Sequence, residues 1–324
     1  MDRSLYKISN VNQMAPFLMA ITSGSDHWMY LSSTGCLTAG RIKAEYALFP
    51  YVTDDLLHRN AHFTGPVTVI RINDDDKNLV WRPFYPYDES YEKEWNLYKN
   101  SLGDTIIFEE INQSLGLTFH YKWQSSAKYG FVRKSRLINN SKKMLNIELI
   151  DGLRNIMPSS VELRTQQEMS NLANAYKVSE YMPDTNCALF FLNALLMDRP
   201  EPGESLYTNL IWSYYNGEKI ISLSEKDIAR FTNNGTFNGT HIVKGKPGCF
   251  LTKIEENLDS EDEIQWYTIA DVHKSQSEVT HLVSDLYGIS NIELKLEESI
   301  RENHLLLENA VGSADGYQCT NETI

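Results

Sequence analysis

The sequence predicts a mainly β protein: a large antiparallel β-sandwich with one inserted helix and helices at its C-terminal end. Apolar and polar residues alternate with period two through much of the first 155 positions. About a dozen such runs follow one another, with turn residues between them. Helical periodicity is confined to short stretches until about residue 272. A length of 324 residues exceeds one ordinary domain, yet a β-sandwich can hold that much chain as a single unit.

Leu117, Phe119, Tyr121 and Trp123 alternate with Thr118, His120 and Lys122, so this run is a strand with one buried face. Leu145, Ile147 and Leu149 repeat the pattern, and Phe131 to Ile138 lies between the two as a third strand. Asn139 to Lys142 is a turn. Upstream, Trp28–Ser33, Val67–Ile72, Leu79–Phe84 and Thr105–Ile111 read as strands, with Asn73 to Asn78 as an acidic hairpin loop. A single helix is expected after Pro158-Ser159-Ser160, because Met169, Leu172, Ala173 and Tyr176 recur at helical spacing. Strands resume at Cys187–Leu196, Leu206–Tyr215, Phe250–Ile254 and Ile264–Ala270. A short helix is expected over Ser224–Thr232, and Gly235 to Gly248 reads as loop. Ser275 and Glu278 form a capping box before a helix that Gly288 ends, and a longer helix follows from Asn291 to about Val311.

Charge and composition narrow the function. With 30 basic against 43 acidic residues, a net charge of −13 argues against a nucleic-acid binder or a polybasic membrane grip. No apolar run approaches the ~20 residues that span a bilayer, and the N-terminus shows no secretory signal. Cys36, Cys187, Cys249 and Cys319 are far apart and form no CxxC pair, so reduced thiols in a cytoplasmic setting are expected.

Motifs for chemistry are scarce. There is no GxSxG elbow, no GxGxxG after a strand and no GxxxxGK[ST] loop, so neither nucleophilic hydrolysis nor nucleotide binding is supported. His58 and His62 stand four apart, but Arg59 follows His58 and no third ligand is recognisable, so no metal and no cofactor are expected. The segment 81–123 is rich in rings: Trp81, Trp95 and Trp123 with Tyr85, Tyr87, Tyr91 and Tyr98. Such rings either fill the space between sheets or stack on sugar faces. Trp81, Trp95 and Trp123 are the candidate carbohydrate-binding residues. Trp95 is the candidate exposed ring, because Glu92, Lys93, Glu94 and Asn96 surround it.

The block Gly116 to Met157, with its arginine-bearing strand, asparagine-rich turn and following hydrophobic strand, resembles the N-terminal domain of cellobiose-phosphorylase-like proteins, the glycoside hydrolase family 94-like group. Thr34 to Arg41 is similar to a glycine-rich hairpin of that group, with Gly35-Cys36-Leu37 in place of its usual paired glycines and aromatics. Ser170–Lys177 and Asp198–Pro202 resemble segments of a bacterial branch, and Ser313–Gln318 resembles the start of the linker to a catalytic barrel. The resemblance implies a galactose-mutarotase-like β-supersandwich over residues 1–272. It implies a helical linker over 273–324, with an (α/α)6 barrel as the catalytic partner. The catalytic residues of such phosphorylases come mainly from the barrel, so no catalytic residue is expected in this chain.

Three functions follow as expectations. The first is a non-catalytic domain of a glycoside-phosphorylase-like protein, supporting the barrel and binding carbohydrate. The second is a structural or homodimer-forming module. The third is a sugar mutarotase using His120 or His241 with a nearby acid.

Overall fold

Residue neighbours in the central strands are apolar in pairs, and the reason is that these strands are buried on both faces. In the computed structural model, which describes residues 5–74, 77–194, 205–288 and 291–314, Phe131 and Val132 enter two different cores. So do Ile211 and Trp212, and Ile70 and Val69. Period-two alternation sends each neighbour to the opposite side of its sheet.

Strands are numbered in chain order. A ten-stranded antiparallel sheet runs, in spatial order, β1 (Leu5–Ile8), β7 (Lys93–Asn100), β8 (Ile106–Asn112), β9 (Leu117–Ser126), β10 (Gly130–Asn139), β18 (Glu263–Ser275), β14 (Tyr207–Tyr214), β13 (Cys187–Leu192), β12 (Lys177–Met182) and β16 (Ile242–Lys244). A five-stranded sheet runs β15 (Ile220–Ser222), β17 (Gly248–Leu258), β11 (Leu145–Ile156), β5 (Gly65–Asp74) and β6 (Lys77–Trp81). A three-stranded sheet holds β2 (Leu18–Ile21), β3 (His27–Ser32) and β4 (Leu37–Arg41).

The main core lies where these sheets face one another and includes Leu31, Ile70, Trp81, Phe108, Phe119, Trp123, Leu149, Phe250 and Trp266. The outer face of the large sheet is covered by α5 (Gln276–Gly288) and α6 (Ile292–Ala314). Val279, Leu282, Leu296 and Ile300 of these helices pack with Val132, Leu210, Trp212 and Ile269. The outer face of the five-stranded sheet is covered by α4 (Lys226–Asn234), whose Ile228 and Phe231 pack on Val67, Val69, Ile150 and Leu251. The expected mainly β, antiparallel sandwich is therefore what the chain forms.

The capping box is present, with Ser275 Oγ and its backbone N–H both bonded to Glu278 Oε2 at 2.6 and 2.9 Å. Several expectations need correction. The strand expected over Leu79–Phe84 ends at Trp81, because Pro83 has no N–H for a ladder. The single helix expected after Pro158 is two short ones, α2 (Leu163–Glu168) and α3 (Ser170–Tyr176), separated where Met169 leaves helical geometry at φ −132°. The loop 235–248 contains β16, which pairs with β12. Asp75 and Asp76 of the acidic hairpin, Asp198–Pro202, Asp315–Gln318 and Cys319 lie outside the described residues. Cys36, Cys187 and Cys249 are buried and free. No helix among the described residues is long and apolar enough to cross a membrane.

Candidate functional site

A cleft opens where β5, β9 and β11 meet three connecting segments. Its lining includes Thr34 and Gly35, Ala61 and His62, Thr68, Arg82 to Tyr85, Tyr121 and Arg154. It encloses about 520 Å³ of empty space, counting the part open to solvent.

Each segment has a local reason for its shape. The turn from β3 to β4 passes through Gly35 at φ 95°, a conformation that suits glycine, and a Cβ there would sit 3.1 Å from the Tyr121 hydroxyl. Helix α1 (Asp54–Arg59) ends in a turn in which the N–H groups of Phe63 and Thr64 both bond to the Asn60 carbonyl. This turn presents His62 and Phe63. Past Trp81, strand alternation turns Arg82 away from the core, and Pro83 ends the ladder. Phe84 then adopts φ 59°, rare for a bulky residue, and packs its ring 5.4 Å from Tyr121 and 5.7 Å from Trp95. Arg154 precedes a break in the β11–β17 register, with Asn155 at φ 57°. Such a bulge re-aims a side chain.

The cleft is cationic. Arg154 donates from Nη1 to the His62 carbonyl and from Nη2 to the Ala61 carbonyl at 3.4 Å, while its buried Nε has no partner. The Arg82 guanidinium lies 3.6 Å from the Tyr85 ring centroid. Among the described residues it has neither a carboxylate partner nor a hydrogen-bond acceptor. Burial first, then the charges of Arg154 and Arg82, hold the His62 imidazole below its ordinary pKa, so it is neutral at pH 7. Among the described lining residues there is no Asp or Glu.

Rings crowd the mouth of the cleft. His62 sits 5.6 Å from Tyr85 and 5.3 Å from Tyr87, and Tyr85 and Tyr87 meet at 5.6 Å. Tyr87 is 72% exposed and Phe63 66%. The floor is rigid by contrast. Tyr121 packs under Arg133, whose guanidinium is 4.4 Å from its ring, and Arg133 pairs with Asp151 at 2.5 Å in full burial. Asp151 also accepts from Thr68 at 2.6 Å, Ser135 at 3.1 Å and Trp266 at 2.6 Å. A fully bonded carboxylate of this kind orders the strands around it.

Trp81, Trp95 and Trp123 are placed in the interior, at 0, 9 and 0% exposure. The expected exposed ring at Trp95 is thereby corrected. It lies on β7, where sequence neighbours point to the opposite face, so flanking polar residues signal an inward tryptophan. Trp81 lies close behind the cleft and donates to Glu110 at 2.7 Å. Of the histidines weighed for proton transfer, His120 is held at about 4 by burial and then Arg136, and His241 is exposed against Tyr181. Neither lines the cleft. His58 contacts Ser32 Oγ at 2.7 Å, while His62 lies beyond the end of α1, so the two do not form a helical pair. No group of three potential metal ligands occurs among the described residues.

His62, Arg82 and Arg154 were not singled out by sequence reasoning for this site. The segment Trp81-Arg82-Pro83-Phe84-Tyr85-Pro86-Tyr87 held the one available signal, an arginine among rings in a proline-broken turn.

No family model and no curated protein matches the chain. Similar solved structures include a bacterial glucoamylase complexed with acarbose, at 10% identity, covering 92% of this chain and 40% of that one with a TM-score of 0.40. A putative kojibiose phosphorylase from the human microbiome is also 10% identical, covering 74% and 27% with a TM-score of 0.40. The GalM/aldose epimerase homologue from C. elegans is 9% identical, covering 81% of this chain and 100% of that one, with a TM-score of 0.45. The chain thus spans less than half of the first two proteins. At such scores and identities no activity follows from the overlap.

Proposed function

We propose that this chain is a non-catalytic β-sandwich domain of a glycoside-phosphorylase-like carbohydrate-active protein and that it binds carbohydrate in the Arg82–Arg154 cleft. The observation that carries the reading is the exposed Tyr87 ring and the half-buried Tyr85 ring beside the Arg82 guanidinium, which has no polar partner among the described residues, at one opening. Aromatic faces cover the apolar side of a pyranose, and guanidinium N–H groups bond its oxygens. The cleft's described lining offers one neutral histidine and no carboxylate, whereas mutarotation or glycosyl transfer to phosphate calls for an acid and a base at the anomeric centre. In this reading the chemistry belongs to an (α/α)6 barrel of the same protein. Three buried free thiols suit a reducing cytoplasm.

The test is calorimetric titration of the chain with a panel of neutral and charged oligosaccharides. Binding that Tyr87→Ala weakens about threefold to tenfold supports the reading, since an aromatic contact is worth about 0.5–1.5 kcal/mol. A panel in which no sugar binds, or in which Tyr87→Ala changes nothing, overturns it.

A further inference from the structure

The charge pattern of the cleft identifies its ligand more closely, an inference that rests on the saccharide reading above. In a chain of net charge −13, several arginines of the described region pair with carboxylates. Arg41 pairs with Asp26 and Asp271, Arg133 with Asp151, Arg136 with Glu263, Arg164 with Glu168 and Arg230 with Asp227. The two arginines of the cleft have no carboxylate partner among the described residues and share one lining, which holds no Asp or Glu. Arg154 bonds two backbone carbonyls and feels Glu225 without a direct ion pair, and among the described residues Arg82 meets only the face of Tyr85. His62 is kept neutral beside them.

We propose that the cleft takes a saccharide bearing an oxyanion, a uronate carboxylate or a sulfate ester, with Arg82 as its direct partner. Three features fit that ligand. The guanidinium is a planar fork that matches a carboxylate or sulfate edge with two parallel N–H donors. The Tyr85 ring at 3.6 Å fixes the plane of that fork before the ligand arrives, so little rotamer freedom is lost on binding. The Tyr121 hydroxyl, without a partner among the described residues, reaches the floor beside Gly35 as a further donor. Arg154 adds long-range attraction while it holds the turn at Ala61 and His62 in place.

The experiment titrates the chain with trigalacturonate, a sulfated disaccharide, a neutral trisaccharide and sodium sulfate. A charged sugar is expected to bind about tenfold or more tightly than the neutral one, the scale of one charge-assisted hydrogen bond. Arg82→Gln should collapse that difference, and Arg82→Lys should keep part of it; thermal melting of both variants shows that they fold. The preferred charged sugar identifies the oxyanion as carboxylate or sulfate. Equal affinity for charged and neutral sugars, both weakened by Tyr87→Ala, overturns the oxyanion and leaves the saccharide reading standing. Sodium sulfate binding as tightly as the sulfated sugar overturns the saccharide component. Absence of all sugar binding overturns both readings.

Discussion

Glu110 accepts the backbone N–H of Phe84, so a wholly buried carboxylate holds the residue at the bend of the cleft loop in its left-handed conformation. Its other oxygen takes the Trp81 indole N–H at 2.7 Å, and Lys93 anchors the same loop by donating to the Tyr85 carbonyl at 3.2 Å. Arg82 and Tyr85 therefore stand on a turn fixed from inside the protein.

That burial sets a pH dependence. Burial pushes Glu110 from an ordinary 4.5 up to about 7, against the opposing pull of its hydrogen bonds and Lys93. Between those values the folded protein keeps a proton that the unfolded chain has lost. The Glu110 contribution is thus fully present below about pH 4.5 and is lost as pH rises through about 7. Glu110→Gln cannot ionise. From pH 4.5 to pH 8 its stability relative to the parent should shift in the variant's favour by on the order of 3 kcal/mol. Urea unfolding of both proteins across this range is the check, and parallel stability profiles would refute the assignment.

The buried tryptophans give a second outcome. Trp95→Ala and Trp123→Ala should each lower stability by about 3–5 kcal/mol, as expected for a large ring removed from a packed core. Denaturant melts measure this directly. Near-neutral stability with selective loss of sugar binding would instead mark these rings as surface platforms.

Asp151 joins four partners, and its loss leaves the Arg133 charge buried alone. Asp151→Ala should therefore cost about 3–5 kcal/mol, measured by equilibrium unfolding. Replacing the whole pair by Arg133→Met with Asp151→Leu should recover part of that cost, because the unpaired charge is then gone. A double variant no more stable than Asp151→Ala contradicts this account.

Cys36 and Cys187 are pushed up to about 12 and about 11 by burial, and Cys249 is raised by the same cause. A thiol reagent at pH 8 should leave these three unmodified in the folded chain and react with them only on unfolding, because the thiolate is the reactive form. Mass spectrometry of the labelled peptides reads the result site by site.

Much of the β architecture was legible because alternation is a strong local signal. Leu117 to Trp123 and Leu145 to Leu149 read as strands and are strands. The strands missed were mostly short or exposed, such as β1, whose four residues are all exposed, and β16, whose three residues lie at the sheet edge. Neither buries enough apolar surface to leave a periodic mark. The cleft was far less legible. Its charged and aromatic members come from segments near 62, 82, 121 and 154, joined only by the fold. Arg154 owes its position to a bulge, and a bulge has no sequence period. Charges around Trp95 suggest exposure, but in a strand the immediate neighbours of a residue lie on the opposite face.

Trp81 and Arg82 are chain neighbours, one in the interior and one in the cleft, so the core and the proposed saccharide site share a single step of pleat. A one-residue slip of β6 against β5 would drive the guanidinium into the core and expose the indole. The geometry of this surface is consequently protected by the hydrophobic cost of misfolding. Insertions or deletions within Lys77–Trp81 should be lost to selection as unfolded chains before they could ever appear as folded proteins with an altered cleft.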